Sequence, residues 1–239
     1  MKGVILAGGT GSRLSPLTKV TNKHLLPVYN KPMIYYPILK LKEMGVTSVL
    51  IISGKGHAGH FLELLCGGTE FGMKFAYEVQ EEAGGIAQAL SLAEEFVDAE
   101  KFAVMLGDNI FLDDLGPAFQ KFIEGQEEAH VFLKEVPSPE HYGVAKLEGS
   151  KIIEIIEKPK VPPSPFAITG CYFFTPDVFQ VVKTLKPSAR GELEISDVND
   201  HYVKKGTLGH TVLQEFWGDC GESIDGLMDV AHYIYSKKA

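Results

Sequence analysis

Lys2-Gly3-Val4-Ile5-Leu6-Ala7-Gly8-Gly9-Thr10-Gly11-Ser12-Arg13-Leu14 is the stretch from which the fold class follows. Lys2 to Ala7 is a short apolar, β-branched run that reads as a first strand, and the glycines behind it read as a tight turn at its carboxyl end. Glycine brings no Cβ, so the backbone N–H groups of Gly8, Gly9, Thr10 and Gly11 can approach phosphate oxygens closely. Arg13 adds a permanently charged, bidentate donor suited to a polyphosphate. Two familiar loops do not match. The dinucleotide fingerprint G-x-G-x-x-G needs a third glycine where Leu14 stands, and no Gly-Lys-Ser/Thr follows at P-loop spacing.

Outward from this turn, short apolar runs alternate with helical patterns, as a parallel sheet with crossover helices requires. Pro32 to Met44 reads as a helix, Ser48 to Ser53 as a strand, His57 to Leu65 as a helix, Lys74 to Gln80 as a strand and Ile86 to Phe96 as a helix. Phe102 to Leu106 reads as a buried strand ending in Gly107-Asp108-Asn109, and Ala129 to Val136 as another. Tyr142 to Leu147 and Ile152 to Ile156, joined by Glu148-Gly149-Ser150-Lys151, form a predicted hairpin, followed by a proline-rich loop over 159–165. Strand Phe166 to Phe174, helices Pro176 to Thr184 and Glu194 to Lys204, a last strand Thr207 to Trp217 and a closing helix from about Ser223 to Ser236 complete the reading. The expected fold is α/β: a Rossmann-like mixed, mostly parallel sheet flanked by helices, with an inserted antiparallel lobe, in one domain over residues 1–239.

The 239 residues carry 23 Lys+Arg and 31 Asp+Glu, a net charge of -8, divided unevenly. Residues 1–42 hold seven basic side chains and no acidic one, so the segment at +7 is followed by a remainder at -15. An acidic protein repels nucleic acid and anionic membranes, so neither is an expected partner, while a local anion site near the start remains open. No apolar run approaches the roughly 18 to 20 residues that span a bilayer, and the start reaches glycine too soon for a signal peptide, which points to the cytoplasm. Cys66, Cys171 and Cys220 lack disulfide or zinc spacing and read as reduced thiols. His57 and His60 have no acidic or cysteine partner nearby, so they read as exposed polar residues rather than a metal pair.

The glycine loop, continued by Pro16, Thr18, Lys23 and Leu26-Pro27-Val28, resembles the opening motif of the sugar-phosphate nucleotidyltransferases. Lys31-Pro32-Met33-Ile34-Tyr35-Tyr36-Pro37, Gly84-Gly85-Ile86-Ala87-Gln88-Ala89, Gly107-Asp108-Asn109, Tyr142-Gly143-Val144, Glu157-Lys158-Pro159, Ile168-Thr169-Gly170 and Arg190 to Asn199 resemble its glucose-1-phosphate thymidylyltransferase branch. The resemblance implies attack by a sugar 1-phosphate oxygen on the α-phosphorus of a nucleoside triphosphate, dTTP with α-D-glucose 1-phosphate, giving dTDP-glucose and pyrophosphate. It also implies a nucleotide-binding part over about residues 1–115 and a sugar-phosphate part, with the antiparallel lobe as sugar pocket, over about 116–239.

The chemistry agrees with the residues available. A phosphate monoester has its second pKa near about 6, so the nucleophile is largely ionised at neutral pH and needs no Ser-His-Asp machinery. Two polyanions must be brought together and charge spread at the transferred phosphorus, which calls for cations and fixed donors. By the resemblance, Arg13 and Lys23 hold the triphosphate and stabilise the leaving pyrophosphate, while Lys158 and Arg190 hold the sugar phosphate. Tyr142, Gly143, Glu157, Ile168, Thr169 and Tyr172 fall at the family's sugar pocket. Gln80, ending a strand, offers the donor and acceptor that match thymine or uracil, together with the backbone near Gly85. Asp108 and Asp219 each follow an apolar strand and form the expected Mg2+ site with the substrate phosphates. Of the remaining early lysines, Lys2, Lys19, Lys31, Lys40 and Lys42 read as surface charge, and Asp113 and Asp114 as surface or capping residues.

Three departures from the family pattern stand out. Trp217-Gly218-Asp219-Cys220-Gly221-Glu222 replaces the usual Trp-x-Asp-Thr-Gly-Thr, keeping the aspartate, and Cys220 reads as a small packed apolar residue. Asn30 and Ser196 stand where relatives commonly have Asp and Thr. The sequence stops soon after its last predicted helix and looks like the family's short form, so a homo-oligomer is possible, and neither the subunit assembly nor the regulatory nucleotide site of longer relatives is implied. A UTP-using or broad-specificity enzyme of the same fold, and a noncatalytic nucleotide-sugar sensor, are the rival readings.

Overall fold

The computed structural model describes residues 1–237. The chain forms two compact units, one from Met1–Ala83, Met105–Asp114 and the stretch beginning at Glu215, the other from Gly84–Val104 and Leu115–Gln214.

In the first unit, Lys2–Ala7 pairs in parallel with Ser48–Gly54, which pairs in parallel with Lys74–Gln80. Val4, Ile5 and Ala7 are fully buried, as are Val49, Ile51 and Ile52, because a parallel strand covered on both faces needs a continuous apolar run. Lys74–Gln80 has one strand neighbour in this unit and is only half-buried over most of its length, as an edge strand is. Helix Tyr35–Glu43 lies close on the first strand: a Cβ at Gly3 would stand 3.0 Å from Leu41 Cδ1. The register aligns Ala7 with Ser53 and Gly54 with Gln80, so Gly8, Gly54 and Gln80 come to one end of the sheet. Ligands of α/β sheets bind at that carboxyl end. A second apolar cluster of Leu14, Val28, Met33, Ile110, Leu227 and Val230 encloses Cys220, whose thiol burial holds in its neutral form, so the small-apolar reading of this residue stands.

In the second unit, Phe166–Phe174 pairs antiparallel with Ala129–Glu135, and Leu208–Val212 pairs with the latter in parallel. The predicted hairpin forms, as Gly143–Glu148 with Lys151–Glu157, and joins Phe166–Phe174 at Ala167 opposite Val144. Phe173 is the hub of this core, with ring centroids 4.8 Å from Phe119, 5.7 Å from Phe122 and 5.1 Å from Phe132. Truncating such a buried ring costs about 3–5 kcal/mol. The α/β class, the mostly parallel sheet with flanking helices and the antiparallel lobe thus all appear. No helix among the described residues is long and apolar enough to cross a membrane.

Four readings need correction, and one helix lies outside them. The strand expected over 207–217 ends at Val212, and Trp217–Asp219 instead forms an antiparallel ladder with Asn109–Phe111. Polar Gln214-Glu215 separates the two, with the Glu215 N–H bonded to Asp113 Oδ2 at 2.9 Å, so Asp113 has a structural partner. The helix expected over 86–96 breaks into Ile86–Ser91 and Glu94–Val97, because Leu92 and Ala93 bond three residues back and the Ser91 hydroxyl donates to the Gln88 carbonyl. The helix expected from Pro32 begins at Tyr35, since Lys31–Pro32 pairs with Pro27–Val28 and the Met33 and Ile34 N–H groups bond to Leu26 and His24. Helix Gly116–Glu124, which supplies Phe119 and Phe122, was not anticipated. Lys40 is buried rather than surface charge, its ammonium donating to Glu43 Oε2 at 2.7 Å and to the Asp113 carbonyl at 2.9 Å.

Candidate active site

The glycine loop of the first unit has the backbone its sequence demands. Gly9 and Gly11 take φ of 86° and 62°, a region that L side chains rarely adopt. Gly11 is also crowded: a Cβ there would lie 2.9 Å from Thr18 Cγ2 and 3.3 Å from Lys23 Cβ, and its carbonyl accepts the Thr18 hydroxyl at 2.8 Å. Leu14 is fully buried and anchors the short helical turn Ser12–Leu14, leaving Arg13 exposed beside the loop. Lys23 therefore stands against the loop that carries Arg13.

Asn22 sets the next piece. Its Oδ1 caps the turn Lys23–Leu25 by accepting the His24 N–H at 2.9 Å, and the same atom lies 2.7 Å from His24 Nδ1. Burial first, then the Lys23 charge, lowers the His24 pKa to about 3, so this ring is neutral. Gly107 leaves room for the ring, since a Cβ there would stand 2.7 Å from His24 Cδ2. With the turn fixed, Lys23 Nζ reaches Asp108 Oδ2 at 2.5 Å. Asp108 is buried, and Asn109 Nδ2 donates to its other oxygen at 3.1 Å. Burial alone would raise the Asp108 pKa, but the Lys23 charge and hydrogen bond outweigh it and hold the carboxyl well below the usual range.

Asp219 reaches this centre through the ladder rather than from the end of a long strand. It sits opposite Asn109, the Cys220 N–H donates to the Asp108 carbonyl at 2.9 Å, and the Gly221 N–H donates to Asp219 Oδ1 at 2.8 Å. Trp217 Nε1 fastens the same ladder by donating to Asn109 Oδ1 at 2.7 Å. Lost solvation and the neighbouring Asp108 charge push the Asp219 pKa up to about 7, against the pull of Lys23, the Gly221 N–H and Arg13. Two carboxylates that repel each other across a small distance, one short of a counter-charge, suit a divalent cation. Among the described residues no group of three or more His, Cys, Asp or Glu forms a ready cage. Asp108 and Asp219 fit a magnesium ion whose other ligands are water and phosphate oxygens, the arrangement this metal favours.

Gln80 is buried at the carboxyl end of its strand, with its amide oxygen against the Cα of Gly8. A cavity of about 220 Å³ opens here, lined by Gly9, Thr10, Gly54, Lys55, His57, Gln80, Glu81 and Ala83. Lys55 and Glu81 form an exposed ion pair of 3.0 Å. His57 is therefore not the freely exposed polar residue its sequence context suggested; it lines this cavity.

The second unit gathers a different set. Gly85 has φ 98°, and a Cβ there would meet the Leu193 carbonyl oxygen at 2.6 Å, so only glycine fits where the Gly84-Gly85 turn is stitched to Leu193. Glu157 Oε2 accepts the Ser196 hydroxyl at 2.5 Å, directly over Gly143, whose missing Cβ would stand 2.5 Å from that hydroxyl. Arg190 is ringed by carboxylates: Nε and Nη2 pair with Glu194 at 3.1 and 2.7 Å, and Nη2 also reaches Glu157 at 3.2 Å and Glu192 at 3.6 Å. Its pKa is raised, by the Glu194 bond first. Lys158 keeps its ammonium exposed while its N–H donates to the Tyr142 carbonyl at 2.9 Å, with φ of 43°. Ile168 lies 3.8 Å from where a Gly143 Cβ would be, so it belongs to this cluster. Thr169 is fully buried and donates to the Phe132 carbonyl at 3.0 Å, and the buried Tyr172 ring stacks on Phe174 with centroids 6.0 Å apart.

Sequence reasoning thus found the charged residues but missed Asn22, His24, His57, Glu194 and Gly221, which hold or surround them. The signal for His24 was its place between Lys23 and the apolar run after it. Glu194 lies in the same Arg190 to Asn199 motif, four residues after Arg190.

Residues 2–237 match the nucleotidyl transferase family. The chain is 42% identical over 229 residues to the glucose-1-phosphate thymidylyltransferase of an Actinoplanes species, a match covering 94% of this chain and 75% of that one. A Bacillus anthracis crystal structure, provisionally assigned as a glucose-1-phosphate thymidylyltransferase, superposes with a TM-score of 0.93 at 52% identity, covering 98% of this chain and 94% of the other. A UDP-glucose pyrophosphorylase bound to UDP-glucose gives a TM-score of 0.88 at 27% identity, covering 99% and 98%. With the glycine loop, the Lys23–Asp108 pair and the family match extending over nearly the whole chain, this protein belongs to the nucleotidyl transferase family.

Proposed function

We propose that the protein transfers a thymidylyl group from dTTP to α-D-glucose 1-phosphate, giving dTDP-glucose and pyrophosphate. The observation that carries the reading is the buried Lys23–Asp108 ion pair beside Asp219, set against a phosphate-binding glycine loop. A noncatalytic sensor has little use for two adjacent acids of opposite protonation tendency next to a fixed lysine. The similar thymidylyltransferases supply dTTP as the nucleotide, and the likeness to a UDP-glucose pyrophosphorylase keeps UTP as the second reading.

In this reading the loop N–H groups of Gly8 to Gly11, with Arg13 and Lys23, hold the triphosphate and balance charge on the departing pyrophosphate. Asp108 orients the Lys23 ammonium, and Gln80 reads the pyrimidine edge. Lys158 and Arg190 hold the sugar phosphate, and Glu157 accepts hydrogen bonds from sugar hydroxyls. A phosphate would take over bonds that carboxylates now make to Arg190. The sugar-phosphate oxygen bonds to the α-phosphorus as the bond to the bridging oxygen of pyrophosphate breaks, and no protein group has to remove a proton at neutral pH. Mg2+ held by Asp108 and Asp219 would draw charge from the phosphoryl oxygens.

The test is pyrophosphate release with glucose 1-phosphate and each of dTTP, UTP, CTP, GTP and ATP, with and without Mg2+. The expected result is Mg2+-dependent release fastest with dTTP. A preference for UTP moves the assignment to the second reading, and no release with any pair refutes an enzyme of this class.

Two further outcomes follow from the geometry. A methyl group at Gly8 overlaps Gln80 Oε1, and Gly8 does not have a positive φ, so Gly8→Ala should fold but swing the Gln80 amide aside. Steady-state kinetics should show the dTTP KM rising about tenfold, the loss of one good hydrogen bond, with the glucose 1-phosphate KM unchanged. The second concerns pH. The Asp219 pKa of about 7 lies above the unfolded carboxylate value of about 3.9, so what this group contributes to stability is full below about pH 4 and lost as pH rises through about 7. Asp108 has the opposite sign: its depressed pKa makes its contribution full above about pH 4 and lost on further acidification. A divalent cation must replace the Asp219 proton, so the rise in Tm on adding Mg2+ should be larger at about pH 8 than at about pH 6. An equal rise at both, in calorimetric scans, would contradict the raised pKa.

A further inference from the structure

Arg190 stands on the loop of residues 188–192 with 41% of its side chain exposed, whereas Glu194 is buried. The backbone under Glu194 is fixed on both sides. Before it, the Leu193 N–H donates to the Gly84 carbonyl at 2.8 Å and the Leu193 carbonyl accepts the Ala87 N–H at 3.2 Å; immediately after it, helix Ile195–Lys205 begins. From that footing the two carboxylate oxygens take one edge of the guanidinium, Oε1 accepting from Nε at 3.1 Å and Oε2 from Nη2 at 2.7 Å. Oε1 also accepts the Ser188 hydroxyl at 2.6 Å, and the Ser188 oxygen in turn accepts the Arg190 N–H at 3.1 Å, so one carboxylate holds both the arginine head and its loop. We infer that Glu194 is a positioning residue for sugar-phosphate binding, whose carboxylate stays on the Nε–Nη2 edge of Arg190 and turns the Nη1–Nη2 edge to the phosphate.

The three carboxylates around Arg190 are not equivalent. The Glu157 and Glu192 side chains are 23% and 40% exposed and each meets only Nη2, at 3.2 and 3.6 Å, so a phosphate displaces them at little cost. Glu194 is 8% exposed and bound through both oxygens; if Arg190 left it, a buried charge would be stranded. It therefore stays. Nη1 makes no hydrogen bond among the described residues, and with the second Nη2 hydrogen it forms the planar two-donor fork that matches a phosphate. An unrestrained arginine loses its rotamer freedom when it closes on an anion, whereas one gripped by Glu194 has lost it already in folding. The Glu194 charge also repels a phosphate, but at an exposed guanidinium water and salt screen that repulsion, so the ordering effect is the larger.

This inference rests on the proposed reading of Arg190 as a sugar-phosphate ligand. The test is steady-state kinetics, with glucose 1-phosphate and dTTP varied in turn, on Glu194→Gln, Glu194→Asp, Arg190→Ala and the double variant Glu194→Gln with Arg190→Ala. Asp keeps the charge but is too short to span both nitrogens, so it separates geometry from charge. The expected result is a glucose 1-phosphate KM about tenfold higher in the Gln and Asp variants with the dTTP KM unchanged, and no further rise when Glu194→Gln is added to Arg190→Ala. A residue that acts through Arg190 has nothing left to position once Arg190 is gone. A wild-type or lower glucose 1-phosphate KM in Glu194→Gln, or an equal rise with and without Arg190, would overturn the inference. Should one Glu194 variant fail to fold, the other decides by the same comparison. An unchanged KM in Arg190→Ala overturns the inference together with the place of Arg190 in the proposed reading. A wild type that turns over no nucleotide refutes the proposed function instead, and glucose 1-phosphate calorimetry on the same variants then decides the inference by the same ratios.

Discussion

Asp108→Asn is expected to lower kcat roughly 10³-fold while the protein still folds. The loss has two sources. The amide binds a divalent cation poorly, and it no longer holds the Lys23 ammonium, now 2.5 Å from Asp108 Oδ2, at full strength. Breaking a buried ion pair by removing one partner usually costs about 3–5 kcal/mol, because the remaining charge is stranded. Here Asp219 limits that cost. Its pKa is high partly because Asp108 is charged, so in the variant it ionises more readily and leaves one carboxylate near Lys23. Steady-state kinetics with a thermal melt would test this: a large fall in kcat, a modest fall in Tm and little change in KM. Near-normal turnover would remove Asp108 from the metal site.

Gly221→Ala should reduce kcat about a hundredfold, although it changes a residue with no side chain. Gly221 does not have a positive φ, so its backbone accepts alanine. Its Cβ, however, would overlap Asp108 Oδ2 and stand 2.9 Å from Lys23 Nζ. The ion pair must therefore open or the Trp217–Asp219 ladder must move, and either shift displaces both carboxylates by a fraction of an ångström or more. Adding Mg2+ in excess should recover little activity, because the defect is one of position. Unchanged kcat in this variant would show that the Lys23–Asp108 geometry is not needed.

How much of this was legible in the sequence depended on how local the cause was. Lys2–Ala7, Lys74–Gln80, Phe102–Leu106 and Phe166–Phe174 were readable to the residue, because an apolar run bounded by glycine or polar residues carries its own limits. Asp108 was placed correctly at a strand end for the same reason. Asp219 stands near Asp108, but not at the end of a long strand: the pairing of Trp217–Asp219 with Asn109–Phe111 joins residues more than a hundred positions apart, and no local pattern records it. The Arg190 side chain was read as an anion site from its motif, but the carboxylates of Glu157, Glu192 and Glu194 around it come from folding. Lys40 and His57 were read as exposed because their types usually are, and long-range contacts decided otherwise. Helix Gly116–Glu124 escaped notice because the aspartates before it had been read as surface residues and its apolar face is short.

The central claim, attack of a sugar-phosphate oxygen on the α-phosphorus, is tested most directly with glucose 1-phosphate carrying 18O in its non-bridging phosphate oxygens, incubated with dTTP, Mg2+ and the protein. Mass spectrometry should find all of the label in dTDP-glucose and none in pyrophosphate, because the bond that breaks lies between the α-phosphorus and the oxygen that leaves with pyrophosphate. Label in pyrophosphate, or no nucleotide sugar at all, would contradict the account.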